Sequence, residues 1–162
     1  MPEAGPPAAR RGGWRRRLLL AVFNLYPPFL GAGIRVRTSP RDDGAIEVRM
    51  RLHFWNRNLV GTHYGGSLYS LCDPWFMIIL REKLGAGYVV WDKWASIRFR
   101  RPGRGTVSAA FHVPDAVAAE VRARADRGET VEPSFQVEVK DGAGQVVAVV
   151  EKLLHVRRRE PI

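Results

Sequence analysis

The sequence predicts an α+β domain in which one antiparallel sheet wraps around a single long central helix, with a short helix at the N-terminal end. Three observations lead there. Residues 65–84 are almost wholly apolar and repeat at helical spacing, with Leu68, Leu71, Cys72, Trp75, Phe76, Ile79 and Leu84 on one broad stripe. Segments on both sides of that stretch alternate polar and apolar with period two. The joints between them are built from Gly, Pro and Asp. A helix that is apolar nearly all round has to be covered, and a sheet curling over it is the simplest cover.

Taken in order, residues 1–13 are rich in Pro, Gly and Ala and are expected to be a disordered basic tail. Residues 14–25 predict a short amphipathic helix, stopped by Pro27 and Pro28 because proline cannot continue the backbone ladder. Residues 33–38 and 45–53 predict two strands around a turn at 39–44. In the second strand Ile46, Val48, Met50 and Leu52 alternate with Glu47, Arg49 and Arg51. A polar loop, 54–62, leads into the long helix. From Tyr88 the period returns to two, with Trp91, Lys93, Ala95, Ile97 and Phe99 on one face and Asp92, Trp94, Ser96, Arg98 and Arg100 on the other. A turn at 101–105, a strand at 106–113, and an alanine-rich helix at 115–127 between Pro114 and Gly128 follow. Strands at 130–140 and 145–156 flank the turn signal Asp141-Gly142. Residues 14–156 are thus one domain, and 157–162 a basic C-terminal tail.

The chain has 162 residues, 46% of them apolar, enough to bury a core without staples. Its one cysteine cannot form an internal disulfide, and its four histidines, His53, His63, His112 and His155, are too scattered for a zinc signature. No metal or organic cofactor is implied. The net charge is +10, but Arg10, Arg11, Arg15, Arg16, Arg17, Arg157, Arg158 and Arg159 at the two ends account for eight of those charges. Basic ends without a basic, aromatic-interleaved face disfavour a nucleic-acid groove. They suit phosphorylated small molecules or anionic membrane surfaces at least as well. The apolar run 18–23 is far too short to span a bilayer, and no small-x-small cleavage site follows it, so a cytoplasmic protein is expected. The N-terminal helix is expected to pack on the domain or on a dimer, with peripheral membrane contact as the alternative.

The chemistry concentrates in residues 58–73. Gly65 and Gly66 open the long helix, so their N–H groups have no intrahelical partner and lie at the positive end of its dipole. They can hold a carbonyl oxygen that gains negative charge, or they can simply permit a tight turn and close packing. Asp73 shares a helix face with Gly66, Tyr69, Ser70 and Met77, beside the apolar stripe. A carboxylate there needs either a cationic partner or a wet crevice. In the second case it can activate water or attack an acyl carbon itself. Pro74 removes the N–H that the carbonyl of Ser70 would receive, which predicts a bend beside Asp73. Asn58 can position reactants or form a turn. Cys72 falls on the apolar stripe as an inert thiol, and Ser67 and Ser70 lack a nucleophile elbow.

The stretch Asn58, Gly61, His63-Tyr64-Gly65-Gly66 and Asp73 resembles the hotdog-fold thioesterases of the phenylacetate-pathway type, which carry an Asn, a Gly, a His-Gly-Gly and a helix-borne acid at this spacing. Tyr64 stands where that family has its histidine. Gly-Gly-Ser-Leu-Tyr followed by Asp-Pro, together with Gly33-Ile34-Arg35-Val36 after a short helix, is closer still to the branch known as DUF4442. The resemblance spans about residues 15–156. It implies the hotdog fold and hydrolysis of an acyl-CoA or acyl-carrier-protein thioester. In that reading Gly65 and Gly66 polarise the carbonyl, Asp73 is base or nucleophile, and Asn58 positions the reactants. The site would be completed by a second copy in a dimer or tetramer. Tyr64 and His63 would line the substrate, and Arg98, Arg100 and Arg101, with Arg104, would meet the carrier's phosphates. The same arginines would equally serve as a charged sheet edge. Competing readings are a noncatalytic module that holds an acyl chain or acyl-CoA, and a dehydratase or isomerase that would need His63.

Overall fold

A computed structural model describes residues 13–39 and 45–160; the expected tail at 1–13, apart from Gly13, and most of the turn at 39–44 lie outside them. Among the described residues five helices and six strands follow the predicted order, with one helix added and the long helix divided in two. α1 (Gly13–Leu25) is joined through Tyr26 to a second helix, α2 (Pro27–Ala32), that the proline pair begins. The same prolines that stop α1 occupy the first turn of α2, where a missing N–H costs nothing. Gly33 closes α2 in the left-handed region at φ 73°.

The six strands, β1 (Ile34–Thr38), β2 (Ile46–Arg51), β3 (Tyr88–Phe99), β4 (Thr106–Phe111), β5 (Ser134–Asp141) and β6 (Val146–Arg158), form one antiparallel sheet in the order β1-β2-β4-β5-β6-β3. β1 and β3 are its edges. Strand β6 outruns the predicted end at Val156: Arg157 and Arg158, expected in a tail, pair with Val89 and Tyr88, and Arg158 lies 3.3 Å from Asp126. The partner strand begins early enough to receive them, so the ladder continues.

The long helix is two helices. α3 (Gly65–Cys72) and α4 (Trp75–Leu84) meet at Asp73 and Pro74, where the carbonyl of Ser70 accepts the N–H of Asp73 instead of the one proline lacks. The apolar stripe is buried as expected, with Leu71, Cys72, Trp75 and Ile79 in one core cluster with Met50, Phe111 and Ile46 of the sheet. Each such side chain contributes about 1.5–3 kcal/mol by leaving water. One line along these helices stays partly open: Gly66, Tyr69, Ser70, Asp73 and Met77. α5 (Asp115–Asp126) packs on α4 and β6.

The alternation expected of β3 breaks once. A β-bulge between Asp92 and Trp94 puts one extra residue, Lys93, into the strand. Trp91, opposite His155 and stacked on it at 4.4 Å, therefore shares the outer face with Trp94 and Arg98. Asp92 instead joins Ala95, Ile97 and Phe99 on the face towards the helices, opposite Leu154, Lys152, Val150 and Ala148.

Candidate active site

The loop before α3 is built by Asn58. Its side-chain oxygen accepts the N–H groups of Val60 and Thr62 at 3.1 and 3.0 Å, and its amide donates to Thr62 Oγ1 at 2.9 Å. The side chain expected to position reactants is thus engaged at both ends within its own loop. Gly61, at φ 77°, completes the turn, and Leu59 and Val60 stand exposed at its tip.

His63 points away from the helix. It is 3% exposed, and one ring nitrogen lies 3.0 Å from the carbonyl of Gly105, to which its N–H donates. Burial pulls its pKa below the ordinary histidine value, and the hydrogen bond to Gly105 only partly opposes that. It anchors the turn between β3 and β4 through Gly103 and Gly105. Tyr64 is exposed and caps α3 with its backbone alone.

No side chain caps α3, so its first N–H groups keep no partner within the helix. The paired glycines also permit two close approaches. A Cβ on Gly65 would come within 2.9 Å of the Phe99 ring, and one on Gly66 within 2.5 Å of the Tyr64 ring. A hollow of about 390 Å³ opens here, lined by Tyr64, Gly66, Ser67 and Ser70 with Trp55 and Arg57 opposite. Phe99 reaches Gly65, so the end of β3 comes beside this end of α3, while Arg98 lies on the opposite, outer face of the sheet. Arg98 is paired with Glu151 at 2.6 Å and Arg101 is hydrogen-bonded to Gln145, while Arg100 is exposed.

Two helical turns on, Asp73 has found the cationic partner. Lys152 of β6, itself fully buried, places Nζ 2.9 Å from the Asp73 carboxylate, 3.2 Å from that of Asp92, and 3.3 Å from the Tyr69 hydroxyl. The Asp73 side chain is nonetheless 49% exposed, so the pair sits at the rim of the core with one side open. Burial works against the Lys152 charge, but the two carboxylates and Tyr69 outweigh it and leave its pKa above the lysine value. Burial raises the pKa of Asp92, against the pull of Lys152. Desolvation, with the bond to Asp73 adding to it, raises that of Tyr69. Burial also holds Cys72 up at about 12, the inert thiol expected of it.

Sequence reasoning passed over Lys152 and misplaced Asp92. The first had a signal: in the apolar phase Ala148, Val150, Lys152, Leu154, Val156 the lysine is the one polar residue, and all five are buried. The second had none, because a bulge leaves no mark in a short alternating run.

The glycine N–H groups and Asp73 cannot serve one small group within a single protomer. Gly66 and Asp73 are seven residues apart, about 10 Å along the axis at roughly 1.5 Å per residue. Among the described residues no group of three or more His, Cys, Asp or Glu side chains could hold a metal ion, and no helix is long and apolar enough to cross a membrane.

Solved structures share this architecture. A Pseudomonas aeruginosa protein of unknown function, PA5026, described as a probable thioesterase, superposes with a TM-score of 0.76 at 23% identity, over 89% of this chain and 96% of that one. The thioesterase HI1161 of Haemophilus influenzae gives 0.63 at 15% identity, over 86% and 88%. The PaaI protein of the phenylacetic acid degradation operon of E. coli gives 0.60 at 20%, over 91% and 93%. No curated protein matches. At these identities the likeness is one of fold, and the fold is the hotdog. The sequence itself matches the model of one family over residues 15–156, and the chain belongs to that family, described as domain of unknown function DUF4442.

Proposed function

We propose that the protein hydrolyses acyl thioesters carried by coenzyme A or an acyl carrier protein, at a site shared between two copies. The observation that supports this best is the half-exposed carboxylate of Asp73 on the open line of α3, the same helix whose glycine N-terminus is uncapped. A two-fold axis that sets two such helices antiparallel brings the amino end of each beside the Asp73 of the other, giving two equal sites. The β3 edge suits such pairing: it is twelve residues long and shows Trp91, Trp94 and Phe99 to solvent. Natural sheets rarely leave an edge of that length uncovered.

In the reaction the Asp73 carboxylate takes a proton from water while the water oxygen attacks the thioester carbonyl carbon. The N–H groups of Gly65 and Gly66 on the other copy hold the resulting oxyanion. Collapse of that intermediate breaks the C–S bond, and the departing thiolate receives the proton, leaving a carboxylic acid and a thiol. Direct attack by the carboxylate, with later hydrolysis of the anhydride, is the covalent form of the same assignment. Arg100 and Arg101, just after β3, supply phosphate contacts for the carrier near the α3 end, while Arg98 faces outward against Glu151. Asn58 holds the loop, and Tyr64 flanks the acyl group. Leu18, Val22 and Leu25 on the outer face of α1 are where peripheral membrane contact would be made.

A second reading has its own support: Tyr64 cannot act as an imidazole base, and Lys152 already occupies one oxygen of Asp73. It is a noncatalytic protein that binds acyl chains or acyl-CoA. Hydrolysis of a panel of acyl-CoAs by the wild type and by Asp73→Asn separates the two. The hydrolase reading expects turnover that falls on the order of a hundredfold or more in the variant, with affinity little changed. Equal rates remove Asp73 from the chemistry, and tight binding without turnover in the wild type establishes the second reading.

A further inference from the structure

Among the described residues Lys152 is the one charged side chain in the buried polar set, and it stands in a strand phase otherwise filled by Ala148, Val150, Leu154 and Val156. A buried ion pair is a poor stabiliser. Desolvation cancels most of its attraction, and an apolar side chain of the same volume often serves the fold as well or better. Packing alone would favour methionine here. What the lysine does instead is bridge two acids from different elements: Asp73 at the break between α3 and α4, and Asp92, turned inward by the bulge in β3. Two carboxylates on one ammonium leave the cluster with a net charge of minus one. The other titratable groups against it are Tyr69 from α3, at 3.3 Å from Nζ, and the sealed thiol of Cys72.

We infer that Lys152 is the positioning residue of the site: clamped from behind by Asp92 and Tyr69, its ammonium fixes the inner oxygen of Asp73 and leaves the outer side of that carboxylate to the substrate. The arrangement separates two tasks. Asp92 is 26% exposed and has a buried oxygen with no hydrogen-bond partner of proper geometry, so it acts as counter-charge. Asp73, twice as open, is the acid that meets solvent. The inference rests on the hydrolase reading for its purpose, and on the side-chain geometry for its mechanism.

Removing the ammonium alone leaves two carboxylates on either side of an apolar side chain. Two like charges facing one apolar side chain repel each other with no cation between them, so one of them takes up a proton nearer neutrality. Lys152→Met therefore moves the acid limb of the kcat profile up by about one pH unit or more. KM stays within about threefold, because the ground-state contacts are untouched. Adding Asp92→Asn in the same chain removes the second charge and brings the limb back towards the wild type. A lysine that only fills space moves the limb in neither variant, and that result overturns the inference.

The same question is read without turnover by carbon-13 NMR of labelled aspartate carboxyls through a pH titration. Proton uptake by the pair shifts upward in Lys152→Met and back in the double variant; unmoved resonances overturn the inference whether or not the protein hydrolyses anything. Should Lys152→Met not fold, Asp92→Asn alone serves. It gives the whole ammonium to Asp73, so the surviving carboxylate binds its proton at lower pH than the pair does in the wild type, and an unchanged titration counts against the clamp. A wild type with no hydrolysis but with these titration shifts refutes the hydrolase reading and keeps the clamp.

Discussion

The indole nitrogen of Trp75 lies 2.7 Å from the carbonyl oxygen of Leu71 and donates to it inside the core. In an unbroken helix that carbonyl would accept the backbone N–H of Trp75, four residues on. The break at Asp73 and Pro74 interrupts the backbone ladder, and the side chain of the first residue of α4 supplies the bond.

Trp75→Phe keeps most of the ring but removes the donor, leaving a buried carbonyl without a partner. Destabilisation of about 1–3 kcal/mol is expected, with any cavity adding to it. Urea denaturation measures it. A change within error would mean that the carbonyl finds water or another donor, and that the break between α3 and α4 is held by packing alone.

The break also marks what the sequence could reveal. Pro74 advertised an interruption because a missing N–H is a local property, and the stripe from Leu68 to Leu84 advertised burial because periodicity survives a small bend. Lys152 was legible in principle, as a charge in the apolar phase of a strand. Asp92 was not: its direction depends on one extra residue in β3, and the alternating pattern reads equally well with or without it. Asn58 was ambiguous until the coordinates showed four of its hydrogen bonds closing on its own loop. α2 was hidden because the proline pair that ends one helix is also a good start for the next.

His63 makes stability depend on pH. Its ring N–H donates to Gly105 while its other nitrogen, Nδ1, is buried without a partner. Burial disfavours the charged ring, and a second proton would go into a site with no acceptor, so the folded-state pKa lies below the ordinary value of 6.5. The unfolded chain then binds more protons in the window between the lowered value and 6.5, so stability rises with pH there. The contribution is complete above that window and is lost as pH falls through it. Urea midpoints measured between about pH 7.5 and pH 5 should drop in the wild type and drop less in His63→Gln. Parallel curves would place the acid sensitivity elsewhere.

Cys72 is fully buried, and its thiol is held up at about 12, so almost no thiolate is present near neutrality. The thiolate is the nucleophile in alkylation. Iodoacetamide should leave the folded protein unmodified and label it fully in urea, as mass spectrometry would read directly. Rapid labelling of the folded protein would show that α3 opens locally, since the side chain cannot otherwise reach the reagent.

Gly65 offers the sharpest separation of packing from chemistry. A methyl group added there would sit 2.9 Å from Cζ of Phe99, but that ring is 56% exposed and free to swing outward. The stability of Gly65→Ala should therefore stay within about 1 kcal/mol of the wild type, because strain is relieved by a surface side chain and not by the core. Turnover is another matter. The added methyl and the displaced ring crowd the uncapped end of α3, where the proposed reaction holds its oxyanion, and loss of one such donor lowers rates on the order of a hundredfold. Paired measurements of urea stability and acyl-CoA hydrolysis test this. Unchanged turnover in a folded Gly65→Ala would assign the glycine to the approach of Phe99 and move the oxyanion site away from α3.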